Sequence, residues 1–206
     1  RLSIKYSWFK APDDIQTLNS NFLGNESREF EFSTLEYHYE NEKRNSISYP
    51  TKGSLNELLV SAYKGQDDNF KNIKLIIKSE NHLKLHKRWF FGNSLKGKVQ
   101  TNTKLPYVLN ESLGFEDYLR GYEYYVFDGE HFVIAKTAIK YELVPKQKLD
   151  IPYFKIEQFK KSYYSIYLSI FADMGVVIDK QYEIENKLNN TFLFSQGVSF
   201  DYVTYY

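Results

Sequence analysis

Three charged positions stand out as able to do chemistry together. Glu142 and Asp173 each fall on the polar side of an alternating segment, and Arg120 lies in the stretch leading into the first of these segments. Two carboxylates turned toward the same confined side repel each other, and burying either one unpaired is costly. They need a cation. A guanidinium is planar and can bridge two carboxylates in a fixed geometry that an ammonium cannot hold. Gly121 beside it allows a close backbone approach or a positive φ. Tyr118, Tyr122, Tyr124 and Tyr125 are expected to pack the stretch against the neighbouring wall. The role expected of this set is structural: an ion-pair network that anchors a loop, with no catalytic residue in it.

Other polar positions promise less. His82 and His86 fall on one face of a strand-like segment, roughly 13 Å apart by strand rise, too far to share one metal ion. They read as solvated residues. The pairs Asp13-Asp14 and Asp67-Asp68 fall in expected loops and read as solvated too. There is no Ser/His/Asp arrangement and no glycine-rich phosphate loop. Cysteine is absent, so disulfides and thiolate metal sites are excluded. No metal and no cofactor is expected.

The elements that position these residues read as strands. Eight segments are expected, at 2–11, 29–40, 54–64, 70–85, 88–101, 131–144, 162–178 and 191–205, and no convincing amphipathic helix. Side chains along a strand face opposite sides with period two. Between 164 and 178, Tyr164, Ile166, Leu168, Ile170, Met174 and Val176 oppose Ser165, Ser169, Asp173 and Gly175. The last segment sets Phe192, Phe194, Val198 and Phe200 against Ser195, Gly197 and Asp201, although Gln196 interrupts the apolar side. Tyr49-Pro50 with Lys52-Gly53, and Asn93-Ser94, carry turn chemistry. The stretch 102–130 is long for a connection in a compact domain, and connections of that length are commonly functional.

Composition decides what kind of sheet this is. Phe, Trp and Tyr make up 18% of 206 residues. Aromatic residues favour strands and collect where a protein meets a membrane interface. The mean hydropathy is −0.53, and no run approaches the ~20 apolar residues of a spanning helix. A barrel resolves the conflict, because it hides its polar residues inside. A soluble sandwich would alternate too, but the segments are long, charges occur deep inside them and aromatics are numerous. The expected fold is therefore all-β, an antiparallel transmembrane β-barrel. With 27 basic and 26 acidic residues the chain gives no electrostatic case for nucleic acid. It opens inside a strand-like pattern and reads as part of a longer protein.

The run Tyr118-Leu119-Arg120-Gly121-Tyr122 resembles the Arg-Gly-Phe/Tyr motif of the sixth extracellular loop in BamA/TamA-type surface-antigen barrels. Further segments match in order. Tyr49-Pro50-Thr51-Lys52-Gly53 resembles a periplasmic turn of that family and Tyr141-Glu142-Leu143 the strand after the loop. Ala172-Asp173-Met174-Gly175 resembles the next strand, and Ser195-Gln196-Gly197-Val198 the one after it. The segment 119–143 is most similar to Bacteroidetes-type members. The resemblance implies a bacterial outer-membrane protein, not an enzyme, that inserts or translocates other outer-membrane proteins. Its loop 102–130 would fold into the lumen, with Arg120, Gly121 and Tyr122 as the loop motif and Glu142 and Asp173 as salt-bridge partners. It implies a sixteen-stranded barrel of which 1–206 supplies about eight strands, with periplasmic POTRA repeats elsewhere. The implied partners are unfolded outer-membrane clients, outer-membrane lipids and accessory lipoproteins or other subunits of the complex. A barrel anchoring a fused phospholipase- or phosphatase-like enzyme, and a passive pore, are the alternatives.

Overall fold

The computed structural model describes residues 1–19, 22–23, 29–65, 70–102, 105–150, 161–180 and 187–205. In chain order these form β1 (Leu2–Lys10), α1 (Asp13–Leu18), β2 (Glu29–Glu42), β3 (Gly53–Gly65), β4 (Lys71–Lys84) and β5 (Trp89–Gln100). A 3-10 turn (Tyr107–Leu109), β6 (Glu111–Leu113) and β7 (Phe127–Asp128) follow, then β8 (His131–Asp150), β9 (Lys161–Ile178) and β10 (Phe192–Tyr205). All eight expected segments form strands, and β8 runs six residues past its expected end at 144. Asp13-Asp14 opens the six-residue α1 instead of lying in a loop. Asp67-Asp68 lies outside the described residues. No helix among them is long and apolar enough to cross a membrane, which says nothing about crossing with strands.

The eight long strands build one antiparallel sheet in the order β1-β2-β3-β4-β5-β8-β9-β10, and β6-β7 is a separate two-stranded piece within the long loop. The sheet is open, with β1 and β10 at its two ends. Contacts at both of its ends reach across it. Tyr49, in the turn 43–52, donates a hydrogen bond to Asp201 of β10 at 2.7 Å. β3 and β10 are five steps apart in the order, about 24 Å in a flat sheet at ~4.8 Å per step. At the opposite end Phe22 meets Tyr107 at a ring distance of 6.1 Å, and its carbonyl accepts from the Val108 backbone N–H. The sheet therefore curls, with the loop on its inner face.

Alternation divides the side chains as the sequence leads one to expect. In β4, Ile73 and Ile77 point outward while Lys74, Lys78, Glu80 and His82 point inward. In β9, Leu168, Ile170 and Met174 are exposed outward while Ser165, Ser169 and Asp173 are buried inward. The inner face is not wholly polar, since Phe30, Phe32 and Phe70 form a ring cluster near its loop end. Asn93-Ser94 is not a turn. Asn93 sits in mid-β5, opposite Asn81 and Thr137, where two neighbouring strands override local turn preference. Turn chemistry does operate at Gly53, whose φ is +101°.

A Cβ at Gly53 would lie 2.1 Å from the Lys43 carbonyl oxygen. Gly53→Ala should therefore cost more than the ~1–2 kcal/mol of a left-handed backbone alone, read as a lower denaturant midpoint in equilibrium unfolding.

Candidate functional site: the inward-folded loop

Loop 101–130 leaves β5, turns back on itself through β6 and β7, and lays its tip on the inner faces of β8, β9 and β10. Gly114, at φ +96°, makes the return possible, because a Cβ there would lie 2.4 Å from the Tyr125 carbonyl oxygen. Leu119 is fully buried in an apolar cluster with Leu113, Phe127, Phe132, Ile134, Val177 and Leu193. Burying a leucine side chain stabilises by ~1.5–3 kcal/mol, so the tip is held by apolar packing before any charge is counted.

Arg120 then makes the polar lock. Its Nε donates to Asp173 Oδ2 at 2.7 Å and its Nη2 donates to Oδ1, a bidentate pair. The backbone N–H of Arg120 also donates to Oδ2 at 3.3 Å, and Nη2 donates to the Thr137 carbonyl at 3.2 Å. Asp173 is 0% exposed, so this carboxylate has exchanged water for the arginine. The guanidinium lies 3.9 Å from the centroid of the Phe171 ring, a cation–π contact that adds to the pair.

The glycines of the neighbouring strands make room for this arrangement. A Cβ at Gly175 would come within 2.9 Å of Ile134 and 3.1 Å of Leu119. One at Gly197 would meet the Phe171 ring at 2.8 Å. Asp173-Met174-Gly175 thus has a physical reading: the aspartate holds the arginine, the methionine faces outward and the glycine admits Leu119. Gly197 leaves space for the ring on which Arg120 stacks. Gly121, at φ +86°, sits over Ser195, and the Tyr122 hydroxyl donates to the Phe194 carbonyl at 3.4 Å.

Glu142 is not a partner of Arg120, contrary to expectation. It accepts a hydrogen bond from the Tyr167 hydroxyl at 3.3 Å. The register places Lys136 opposite Asp173 and Glu142 opposite Tyr167. Six residues of strand separate positions 136 and 142, about 20 Å at ~3.3 Å per residue. Both acids face inward, but at different heights. The tyrosines divide as well: Tyr122 packs against Phe127, the Tyr118 ring lies under the Lys136 ammonium at 4.3 Å, and Tyr124 is fully exposed. His82 is largely covered and sits 3.7 Å from Glu80, whereas His86 is exposed in the turn after β4.

Two further anchors carried no signal in the sequence. Lys98 of β5 is buried, and its ammonium donates to the carbonyls of Glu111 and of Gly129, the latter at 2.9 Å, closing the base of the loop. A second salt bridge, Lys96–Asp117 at 2.7 Å, ties the loop to the same strand. At the far end of the sheet Tyr49 packs its ring at a tilt against Tyr167, centroids 4.8 Å apart, lies under Lys140 at 3.9 Å, and reaches Asp201, which Ser169 also bonds. Burial, and then Asp201, push the Tyr49 hydroxyl well above its ordinary pKa, so it stays a proton donor there. The arrangement has an anchoring geometry throughout, with no nucleophile–base pair among these contacts.

No protein-family model, curated protein or solved structure matches this chain.

Proposed function

We propose that this sheet is part of the wall of a bacterial outer-membrane β-barrel that inserts or translocates other outer-membrane proteins, in the manner of the BamA/TamA-type surface antigens it resembles. The observation that carries the reading is the bidentate Arg120–Asp173 lock, which holds a long loop against the inner face of a sheet whose outer face is apolar. A loop fixed inside in this way shapes the interior and braces the wall while needing no catalytic group. Clients would be unfolded outer-membrane proteins, and no cofactor is called for.

The outer face supports the membrane part of this reading. Register joins Tyr39, Leu58, Ile77, Gly97, Val133, Val176 and Phe192 into one outward row across seven strands. In β2, β3 and β4 the row marks one limit of the apolar run, because the next outward residues are Asn41, Asn56 and Ser79. In β10 it marks the opposite limit, since the run starts at Phe192 and continues to Tyr202. The apolar band thus crosses the strands diagonally. Strands of membrane barrels tilt by ~35–45°, and a level slab of hydrocarbon then maps onto them as such a diagonal.

An arginine at Ile170, which is 65% exposed on this face, should cost ~2–4 kcal/mol of unfolding free energy in bilayers. Were the face bathed in water, the change should stay within ~0.5 kcal/mol. Function is tested by depleting the protein in its own cell envelope. Other outer-membrane proteins should fall in amount together; unchanged levels, with loss of an attached hydrolase activity instead, would overturn the assembly reading in favour of an anchor.

A further inference from the structure

We propose that His38, Glu40 and Glu57 form a zinc-binding site on the inner face, tying β2 to β3 near the turn that joins them. His38 and Glu40 are two residues apart in β2 and so point to one side, and Glu57 of β3 stands directly opposite Glu40. One ligand atom from each lies within 4.8 Å of the others. A tetrahedral ion with bonds of ~2.1 Å needs its ligands about 3.4 Å apart. Small rotations of glutamate side chains, which are long and only partly covered, close that gap.

The charge pattern is the second observation. Other inward carboxylates have a cation or a hydroxyl donor beside them: Lys5 with Glu36 at 3.0 Å, Arg44 with Glu80 at 2.6 Å, Arg120 with Asp173, Tyr167 with Glu142 and Tyr49 with Asp201. Here two carboxylates oppose each other across adjacent strands, a pairing that destabilises a sheet. Among the described residues Glu40 makes no ion pair and the His38 imidazole no hydrogen bond. Lys78 stands 3.7 Å from Glu57 but 2.9 Å from Glu80, so its charge is drawn toward the neighbouring network. One imidazole with two carboxylates suits Zn²⁺, with water completing the shell. Ca²⁺ takes six to eight oxygens and is poorly served by so few.

The site stands apart from the proposed membrane role, and its test does not depend on it. The intact protein in detergent, stripped with a chelator, is titrated with Zn²⁺ and separately with Ca²⁺ by calorimetry, and melted with and without each ion. One equivalent of Zn²⁺ should bind and raise the melting temperature, with Ca²⁺ doing neither. Glu40→Gln and Glu57→Gln, which keep shape and lose charge, should each weaken Zn²⁺ at least about tenfold, a loss of the size that altering a metal site commonly brings. Lys78→Met should tighten it, because a competing cation leaves Glu57. His86→Ala, a change at an exposed histidine, should leave it unchanged. Binding that survives both glutamine variants, or that His86→Ala abolishes, overturns the site, as does the lack of a saturable Zn²⁺ equivalent.

Discussion

Replacing Arg120 with alanine should lower the free energy of unfolding by about 3 kcal/mol, near the low end of the ~3–5 kcal/mol seen when one member of a buried ion pair is removed. Asp173 is 0% exposed, while the arginine side chain keeps 28% of its surface, and this places the estimate at that lower end. The variant strands a carboxylate that has lost two side-chain donors and retains only the backbone N–H of residue 120. Leu119 stays apolar and still favours its cluster, so the tip should loosen without leaving. Two readouts follow: a lower temperature for the shift from folded to unfolded mobility on heating, and new protease cleavage between 115 and 126. Asp173→Asn placed in the Arg120→Ala background removes the stranded charge and should restore much of the loss. The coupling between the two sites should reach ~1–3 kcal/mol. Glu142→Gln in the same background should restore nothing, since that carboxylate belongs to Tyr167. Recovery through Glu142 would place that acid beside the arginine and overturn the Asp173 lock.

That last contrast shows where sequence reasoning stops. Alternation along β9 separates Asp173 from Ile170 and Met174, and a period of two is visible in any single strand. Relative height is not. Sliding β8 by two residues against β9 leaves every side chain on its own face, so the pattern is blind to which inward acid lies beside Arg120. The register resolves it by placing Lys136 opposite Asp173, with the bulges at 142–147 lying beyond. Asn93-Ser94 departs from its turn chemistry for a related reason: a dipeptide that favours turns is held flat by partner strands on both sides. The glycines were legible only as spacing. That Gly175 admits Leu119, and that Gly197 clears Phe171, required the loop to be in place. Tyr49 gave no sign that it would cross the sheet to Asp201, since the contact depends on how far the sheet curls.

Lys98 was the least legible of the anchoring residues, and its replacement should have the second large effect. A lysine that is 4% exposed needs a compelling reason to stay, and two carbonyl oxygens at the base of the loop supply it. Lys98→Ala leaves the carbonyls of Glu111 and Gly129 without that donor. A buried group deprived of its partner costs ~1–3 kcal/mol, giving about 2–6 kcal/mol for the two. The loss should differ in kind from that of Arg120→Ala. Glu111 and Gly129 begin β6 and follow β7, and the Gly129 N–H donates to the Asn110 carbonyl at 2.7 Å. Losing the lysine therefore loosens both legs of the loop where they leave the sheet, whereas losing the arginine frees only the tip. Hydrogen exchange distinguishes them: Lys98→Ala should speed exchange at 111–113 and 127–129, and Arg120→Ala at 119–122. Lys98→Met tests the charge itself. It fills the same space and contacts Phe132, whose ring lies 5.7 Å from the ammonium, but offers no donor. If the methionine variant unfolds at the wild-type denaturant concentration, the carbonyls are not what the lysine serves, and packing alone holds the base of the loop.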